Sequence, residues 1–347
     1  MKSLEPFSQR WKQQKSFQSS IVSESKTPYQ TSQQVFPPEI QQIYKKLSHQ
    51  YFNISLQDVF RGREITTSEG LCYCIDNEIP FSEPAREIEI TKKRLQSSLQ
   101  LIPGIGLQTE HLLHHQRVFT FSQIPANSRF YANAQACIHQ IENGPYDDLF
   151  WKFHQIYGKD HPDLLQLSRL IPIENLVFVD IETMGLSSQP ITLIGFGRIQ
   201  GNSLRLVQYF ARDITEEASI LSNFYHHLQR GDFFVTFNGE YFDIPFIKNR
   251  SRYHNLDHST YPANFDALFF ARKVWKKDLP NCKLQTIEKE ILNIHRIDDV
   301  PGAYCPVFYQ HYLQTRQIGT IVPIIQHNQQ DIVSLARIFF RLQQIWR

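Results

Sequence analysis

The chain has 347 residues, enough for one sizeable domain and a smaller one, and 41% of them are hydrophobic, so a core can form. The formal net charge is only +2, which excludes a nucleic-acid binder that relies on overall basic charge. No stretch is long and apolar enough to span a bilayer, and the first residues lack the apolar core of a signal peptide, so no membrane partner is expected. The five cysteines show no zinc-binding spacing, so no zinc is expected, and their odd number favours a cytoplasmic location.

Residues 1–38 are rich in Ser, Gln, Lys and Pro and lack sustained periodicity, so we predict a disordered tail. A small, mostly helical region is predicted over residues 39–165, with helices at 40–51, 87–100 and 132–141 and a strand at 71–75. Prolines at 162 and 172 mark a boundary between about 160 and 172, and a larger α/β domain is predicted over residues 170–347.

The segment Leu101-Ile-Pro-Gly-Ile-Gly106 resembles a helix-hairpin-helix motif, which would lie near residues 99–125. Backbone N–H groups at the turn formed by Gly104 and Gly106 could bind phosphate without reading bases. Glu110 stands where a small residue is common, and Arg117 stands where a second turn often has glycine. A helix-turn-helix packing element therefore stays an alternative.

Four apolar runs predict the strands of the larger domain. Residues 176–180 and 232–237 are rich in β-branched and aromatic side chains, as buried strands are. Residues 191–199 and 204–211 are two further strands, joined by the hairpin signal Gly201-Asn202. The final helix has a core-facing stripe at helical spacing, made of Ile332, Leu335, Ala336, Phe339, Leu342 and Ile345.

Four acidic residues lie in three separated motifs. Asp180 and Glu182 are two apart at the end of a strand, so both face the same side, and Asp243 falls in the first turn of a helix that follows a strand. His327 and Asp331 are four apart where the final helix is predicted to open. Gathered carboxylates repel one another, and hard divalent cations offset that repulsion. The motifs therefore predict a metal-dependent phosphoryl-transfer enzyme.

The order Asp-x-Glu, Asn-Gly-x-x-Phe-Asp and His-x-x-x-Asp resembles the ribonuclease-H-like DEDD superfamily of 3′→5′ exonucleases. The surrounding sequence is similar to the YprB-type ribonuclease-H-like family of bacterial proteins over roughly residues 170–345. The segments that carry this resemblance are Asp180–Leu186, Thr236–Pro245, Cys282–Leu284 and Arg296–Gly302. The resemblance implies a ribonuclease-H-like mixed sheet flanked by helices.

The resemblance also implies a two-metal site, in which two ions, Mg²⁺ or Mn²⁺, lie about 4 Å apart on the scissile phosphate. His327 would orient or deprotonate the attacking water. In the superfamily a histidine usually lies five residues before the last Asp and a tyrosine four, whereas His327 lies four residues before Asp331. The implied metal ligands are Asp180, Glu182, Asp243 and Asp331, and the implied substrate contacts near them are Thr183, Leu186 and Asn238.

Other roles stay open for several of these residues. Asp243 taken alone could be a turn former or helix cap, and His327 could be a capping or partly buried histidine. Asp266, Asp298 and Asp299 favour structural or substrate-positioning roles over metal binding.

A cluster of basic residues follows the second motif. Arg272 and Lys276 share one helix face, and with Lys283 and Arg296 they are candidates for a substrate groove, although a solvated helix surface is the alternative.

The function that these observations favour is a 3′→5′ exonuclease that acts on DNA in repair, with a helicase or another repair protein as a possible partner. One alternative is an exoribonuclease that trims RNA 3′ ends, since only contacts to the 2′-hydroxyl separate the two substrates. The other is a non-catalytic nucleic-acid adaptor, which the four intact acids argue against.

Overall fold

The structure is a computed structural model that describes residues 37–82, 84–186, 188–256, 261–296 and 299–346. The chain divides into two units, residues 1–41 and residues 42–347, and only residues 37–41 of the first unit are described. The disordered tail predicted for residues 1–38 therefore lies almost wholly outside the described residues. No helix in the described ranges is both long enough and apolar enough to cross a membrane.

The described part of the second half of the chain contains five strands and most of the longer helices of the larger domain, whereas the first half is mainly helical. The strands are β1 (Arg63–Thr67), β2 (Gly70–Pro80), β3 (Leu176–Thr183), β4 (Ile191–Gln200), β5 (Ser203–Phe210), β6 (Phe233–Thr236) and β7 (Ala263–Asp266). The helices are α1 (Pro38–Gln50), α2 (Leu56–Phe60), α3 (Ile88–Leu95), α4 (Leu107–His115), α5 (Tyr131–Asn143), α6 (Tyr146–Tyr157), α7 (Pro162–Leu167), α8 (Glu217–His226), α9 (Asp243–Tyr253), α10 (Ala267–Trp275), α11 (Leu284–Ile291), α12 (Cys305–Thr315) and α13 (Val322–Ile345).

The strands form one seven-stranded mixed sheet in the order β1-β2-β5-β4-β3-β6-β7. Strands β1 to β5 pair antiparallel, whereas β6 runs parallel to both β3 and β7. Apolar side chains on its two faces pack into two separate cores against the flanking helices. The predicted mixed sheet with helices on its faces is therefore confirmed.

The four strands predicted in the larger domain are present as β3, β4, β5 and β6. Gly201, in the predicted hairpin between β4 and β5, has a φ of +58°, a conformation that glycine adopts without strain. Because β3 and β6 are parallel, their carboxyl ends meet at one edge of the sheet. This edge carries Asp180, Glu182 and, at the start of α9, Asp243.

The upstream region contributes to the same sheet. The strand predicted at 71–75 extends over Gly70–Pro80, and it pairs with β5 along most of its length. The hairpin β1–β2, which precedes the predicted boundary at 160–172, thus forms one end of the sheet of the larger domain. The helix predicted at 87–100 was too long, since α3 ends at Leu95. The Ser97 hydroxyl donates a hydrogen bond of 2.6 Å to the carbonyl of Arg94, so it satisfies a backbone group at the helix end.

Helix α13 crosses the sheet and presents most of the predicted stripe to it. Ile332, Leu335, Ala336, Phe339 and Leu342 are buried, whereas Ile345 is 41% exposed at the helix end and was wrongly included. The helix begins at Val322, five residues before His327, so the third motif begins in its second turn and does not open it.

Two glycines of β4 allow α13 to approach the sheet closely. A Cβ atom on Gly195 would lie 2.0 Å from Oδ1 of Asn328 and 2.6 Å from Cδ1 of Ile332, and one on Gly197 would lie 2.9 Å from Ile332. Gly195 is also the strand partner of Asp180. The absence of a side chain there therefore brings α13 within reach of the first acidic motif.

Replacing Gly195 with alanine should destabilise the protein by about 1–3 kcal/mol, because an added methyl group in a filled space forces α13 to shift. Chemical denaturation of the metal-free protein measures this loss. Gly106→Ala is the matched control, since its φ is −100° and a Cβ there would meet no atom within 4 Å. Equal stability of Gly195→Ala and the control would contradict the close packing.

Candidate carboxylate site

Asp180 and Glu182 extend from the same side of β3 near its carboxyl end. The Asn328 side chain on α13 holds Asp180 with two hydrogen bonds, donating to its Oδ2 at 2.7 Å and to its backbone oxygen at 3.0 Å. Gln208 fixes Asn328 in turn, because its Nε2 donates to the Asn328 amide oxygen at 2.8 Å. The Asp180 carboxylate is therefore held by a chain of neutral amides that sequence reasoning did not identify.

Asp243 joins this pair through the backbone of β3. Its Oδ1 accepts a hydrogen bond of 3.1 Å from the amide of Ile181, the residue between Asp180 and Glu182. The side chain is buried, with 4% exposure, although it lies at a helix start where water usually solvates an acid. The turn of α9 thus directs Asp243 toward the first motif and away from solvent.

The acids raise one another's pKa values. Burial, followed by the charges of Asp331, Asp243 and Glu182, raises the pKa of Asp180 well above its usual range. Burial raises the pKa of Asp243 to about 7, and it raises that of Glu182 to about 7 although His327 acts in the opposite direction. The other three carboxylates therefore lie close enough for their charges to act on Asp180.

His327 and Asp331 lie on one face of α13, as predicted. The Nδ1 atom of His327 is 2.7 Å from Oδ1 of Asp299, and its Nε2 atom is 3.6 Å from Oδ2 of Asp331. Burial alone would lower the pKa of His327, but the bond to Asp299 and the charges of Asp331 and Glu182 raise it to about 9. Asp299 therefore orients the imidazole, which agrees with the structural role predicted as one possibility.

Arg296 is a buried part of the site. Its guanidinium is bidentate to Glu288, with Nε at 2.7 Å and Nη2 at 2.6 Å, and the same Nη2 donates to Asp331. Its side chain is only 8% exposed and is paired with Glu288 and Asp331, so it lies inside the acidic site and not on an open basic groove. The spacing of residues 288, 296 and 331 carries no periodic signal, so nothing in the sequence linked them.

Two groups compete for the Nδ1 atom of His327. Nη1 of Arg296 lies 3.1 Å from it, farther than the Asp299 oxygen. A guanidinium N–H can only donate, so it needs an unprotonated Nδ1, whereas Asp299 needs a protonated one. The shorter, charge-assisted contact favours the proton on Nδ1 and leaves Nε2 facing Asp331.

The donor set fits hard divalent cations in kind, since all four acids offer carboxylate oxygens and their mutual repulsion would fall on binding one. Within the described ranges, however, no three His, Cys, Asp or Glu side chains are arranged to hold a metal ion as they stand. Arg296 contributes to this, because it already occupies an oxygen of Asp331. Metal binding at Asp331 would therefore use its other oxygen, Oδ2, or displace the guanidinium from Oδ1.

The residues predicted to contact the substrate lie on both sides of this site. The Thr183 hydroxyl donates to the Gly185 carbonyl at 2.8 Å, and Leu186 is 67% exposed in the loop that follows β3. Asn238 has a φ of +69°, and its backbone N–H donates a hydrogen bond of 2.7 Å to Asp266. Asp266 also accepts from the amide of Glu240 at 3.1 Å, so it fixes the turn before Asp243 in the structural role predicted as one possibility.

The remaining candidates lie on the surface. Three of them are exposed basic residues: Arg272 on α10, Lys276 directly after α10, and Lys283 directly before α11. Gly104 has a φ of +90°, which favours glycine, whereas Gly106 precedes α4 in an ordinary extended conformation. Glycine is thus required by the backbone at position 104 only. Asp298 lies outside the described residues.

Comparisons with known proteins support the fold of this domain. Residues 177–343 match a family model of the RNase_H superfamily. The chain is also similar to the Uncharacterized protein YprB of Bacillus subtilis (strain 168), with 30% identity over 178 residues. That similarity covers 49% of this chain and 42% of the relative, so the chain spans less than half of the relative's length. Residues 177–343 therefore form a ribonuclease-H-like domain, as the resemblance implied.

The raised pKa values predict an unusual pH dependence of stability. Glu182 and Asp243 have folded-state pKa values of about 7, above their ordinary 4.5 and 3.8, so the folded state holds protons that the unfolded chain has released. The stability from this protonation is complete below about pH 4 and is lost as the pH rises through 7. His327 acts in the same direction, because its stabilisation is lost as the pH rises through about 9.

We therefore expect the melting temperature of the metal-free protein to fall between pH 5 and pH 8, and Mn²⁺ to raise it much more at pH 8 than at pH 5. Thermal melts with EDTA or Mn²⁺ measure both effects. The double variant Asp180→Asn, Asp243→Asn should lose most of the pH-dependent response to Mn²⁺. An equal response of the wild type at both pH values would contradict the assignment.

Proposed function

We propose that this ribonuclease-H-like domain is a metal-dependent nuclease that hydrolyses phosphodiester bonds from the 3′ ends of nucleic acids. One observation carries the proposal: Asp180, Glu182, Asp243 and Asp331 come from three distant segments, yet the charges of the other three act on Asp180 at a partly buried place. A protein core without a catalytic or binding role rarely gathers like charges, because each one lowers stability. A nucleic-acid substrate agrees with the superfamily to which the domain is matched.

The four acids are the residues that would hold Mg²⁺ or Mn²⁺, and bound ions of this kind activate water and stabilise a leaving oxygen. Asn328 fixes the Asp180 carboxylate, so one oxygen of this acid is oriented before any ligand arrives. Arg296 would withdraw from Asp331 while it keeps its two bonds to Glu288. The guanidinium would then supply a preorganised positive charge at the site.

His327 is the group that would orient or accept the proton of the attacking water. With Nδ1 bonded to Asp299, its Nε2 atom faces the carboxylate site at Asp331. Cations bound nearby would lower the pKa of His327 from about 9, because they oppose the carboxylates that raise it. Asp299 is therefore a positioning residue for the imidazole of His327.

The finer parts of the proposal rest on the resemblance to the DEDD exonucleases. They are the 3′→5′ direction, the two-metal mechanism, the preference for DNA, the role in repair and a helicase or similar partner. Thr183, Leu186 and Asn238 would receive the terminal nucleotide, and Arg272, Lys276 and Lys283 would contact the strand behind it. Gly104 and Gly106 would bind phosphate in the upstream region if a helix-hairpin-helix role holds.

Replacing Asp180 or Asp331 with asparagine should abolish nucleotide release, since each variant removes one charge of the metal site while it preserves side-chain size. The assay digests 5′-labelled single- and double-stranded DNA and RNA with Mg²⁺ or Mn²⁺ and resolves the products by length. Asp148→Asn is the matched control, because Asp148 is exposed in the first turn of α6. Wild-type protein that is inert on every substrate would instead favour a non-catalytic adaptor.

Replacing His327 with alanine should slow hydrolysis by about 10²–10⁴-fold if it acts as the general base. Asp299→Asn should give a smaller loss and a shifted pH–rate profile, because a neutral amide oxygen replaces the charged acceptor of the imidazole. Single-turnover rates between pH 6 and pH 9 measure both effects. An unchanged rate for His327→Ala would remove the histidine from the mechanism and leave the metal site untouched.

A further inference from the structure

An exposed aromatic residue lies beside the candidate site. Tyr241 is in the turn between β6 and α9, two residues before Asp243, and 54% of it is exposed. The turn is fixed from below, because Asp266 accepts hydrogen bonds from the backbone of Asn238 and Glu240. The ring is therefore displayed at the same sheet edge as the carboxylates, on a rigid support.

A lysine from the upstream region holds this ring in place. The Nζ atom of Lys159 lies 4.4 Å from the ring centroid of Tyr241 and 4.0 Å from that of Phe269, and it donates to the Tyr241 hydroxyl. It also donates to Glu240 at 3.0 Å. The Tyr241 ring meets Phe269 edge-on, with centroids 5.9 Å apart. A ring fixed by three contacts loses little conformational freedom when a ligand packs on its free face.

Phe269 connects Tyr241 to a basic face of α10. Positions 269, 272, 273 and 276 are three, four and seven apart, so they share one face of a helix and span about 10 Å along its axis. Lys276 keeps helical dihedral angles at the end of α10, so the face continues to it. Arg272 and Lys276 are exposed, and no hydrogen bond or ion pair of their side chains occurs with the described residues.

We propose that Tyr241 and this face of α10 form the path for one unpaired nucleic-acid strand that leads to the carboxylate site. A base stacks on the Tyr241 ring, and Arg272 and Lys276 neutralise the phosphates that follow. An aromatic ring followed by cations at this spacing fits a single strand, because stacking needs an unpaired base and each base has a face to offer. The proposal rests on the proposed nuclease function and assigns Tyr241 and Lys159 to substrate binding.

The test measures binding without hydrolysis. A fluorescein-labelled single-stranded oligonucleotide is titrated with the full chain in EDTA, and its anisotropy gives Kd. Tyr241→Ala should raise Kd roughly 5- to 150-fold, the range found when a stacked aromatic ring is removed. Tyr241→Phe should stay within about threefold, since it keeps the ring and loses only the hydroxyl bond to Lys159.

Tyr253→Ala is the matched control. Tyr253 is 70% exposed and also lies under a cation, Arg250, at 4.3 Å, but it is at the far end of α9, about 15 Å along the helix from Asp243. Its replacement should leave Kd unchanged. Equal affinity of Tyr241→Ala and the wild type, or a wild type that binds duplex and not single strands, would overturn the proposal.

The salt dependence tests the basic face separately. The double variant Arg272→Ala, Lys276→Ala should reduce the slope of log Kd against log salt concentration by about 1.4, because each lost phosphate contact removes about 0.7. Arg230→Ala, an exposed arginine before β6 at the opposite edge of the sheet, should leave the slope unchanged. An unaltered slope for the double variant would contradict the path along α10.

These outcomes separate the strand path from the nuclease proposal. Wild type that binds single strands through Tyr241 but hydrolyses nothing with either metal contradicts the nuclease proposal and supports the path. Wild type that hydrolyses DNA or RNA while Tyr241→Ala keeps its affinity contradicts the path alone.

Discussion

Repulsion among buried carboxylates is the constraint on which the candidate site depends. Asp243 and Glu182 are less than one-tenth exposed, Asp180 is half-buried beside Asn328 of α13, and burial raises the pKa of all three. At neutral pH such a group is stable only if it retains protons or gains positive charge. The fold holds the acids in place through neutral donors, namely the Asn328 amide and the backbone N–H of Ile181. These donors orient the oxygens and supply no compensating charge.

Positive charge is distributed unevenly across the site. Asp331 lies beside Arg296 and His327, and both lower its pKa against the effect of burial. Asp180 and Asp243 meet no comparable cation among the described residues, since the strongest charges on them come from other acids. A bound divalent ion would therefore relieve most repulsion at Asp180 and Asp243, whereas at Asp331 it would replace a charge that the protein already provides. Arg296 therefore stabilises the Asp331 carboxylate in the metal-free state.

The sequence predicted the sheet and the acidic motifs because both have short-range signals. Strands β3 and β6 are continuous apolar runs, and the pairs 180/182 and 327/331 follow strand and helix periods directly. Other contacts of the site join segments that are far apart in the chain, and no periodic pattern of residues marks them. Asn328 reaches Asp180 only because Gly195 has no side chain, and Arg296 meets Glu288 and Asp331 across a loop. Part of β2 was predicted, but its pairing with β5 was similarly hidden, because the two strands are more than a hundred residues apart.

The most direct test of the account is a calorimetric titration of Mn²⁺ into the wild-type protein at pH 7 in buffers of different ionisation enthalpy. If carboxylates with raised pKa values bind the ion, each must lose its proton, so the heat should vary with the buffer and indicate proton release. The account predicts binding with release of about one proton or more, and weaker binding for Asp180→Asn. Absence of binding, or binding with no dependence on the buffer, would contradict the claim that a divalent cation neutralises these four acids.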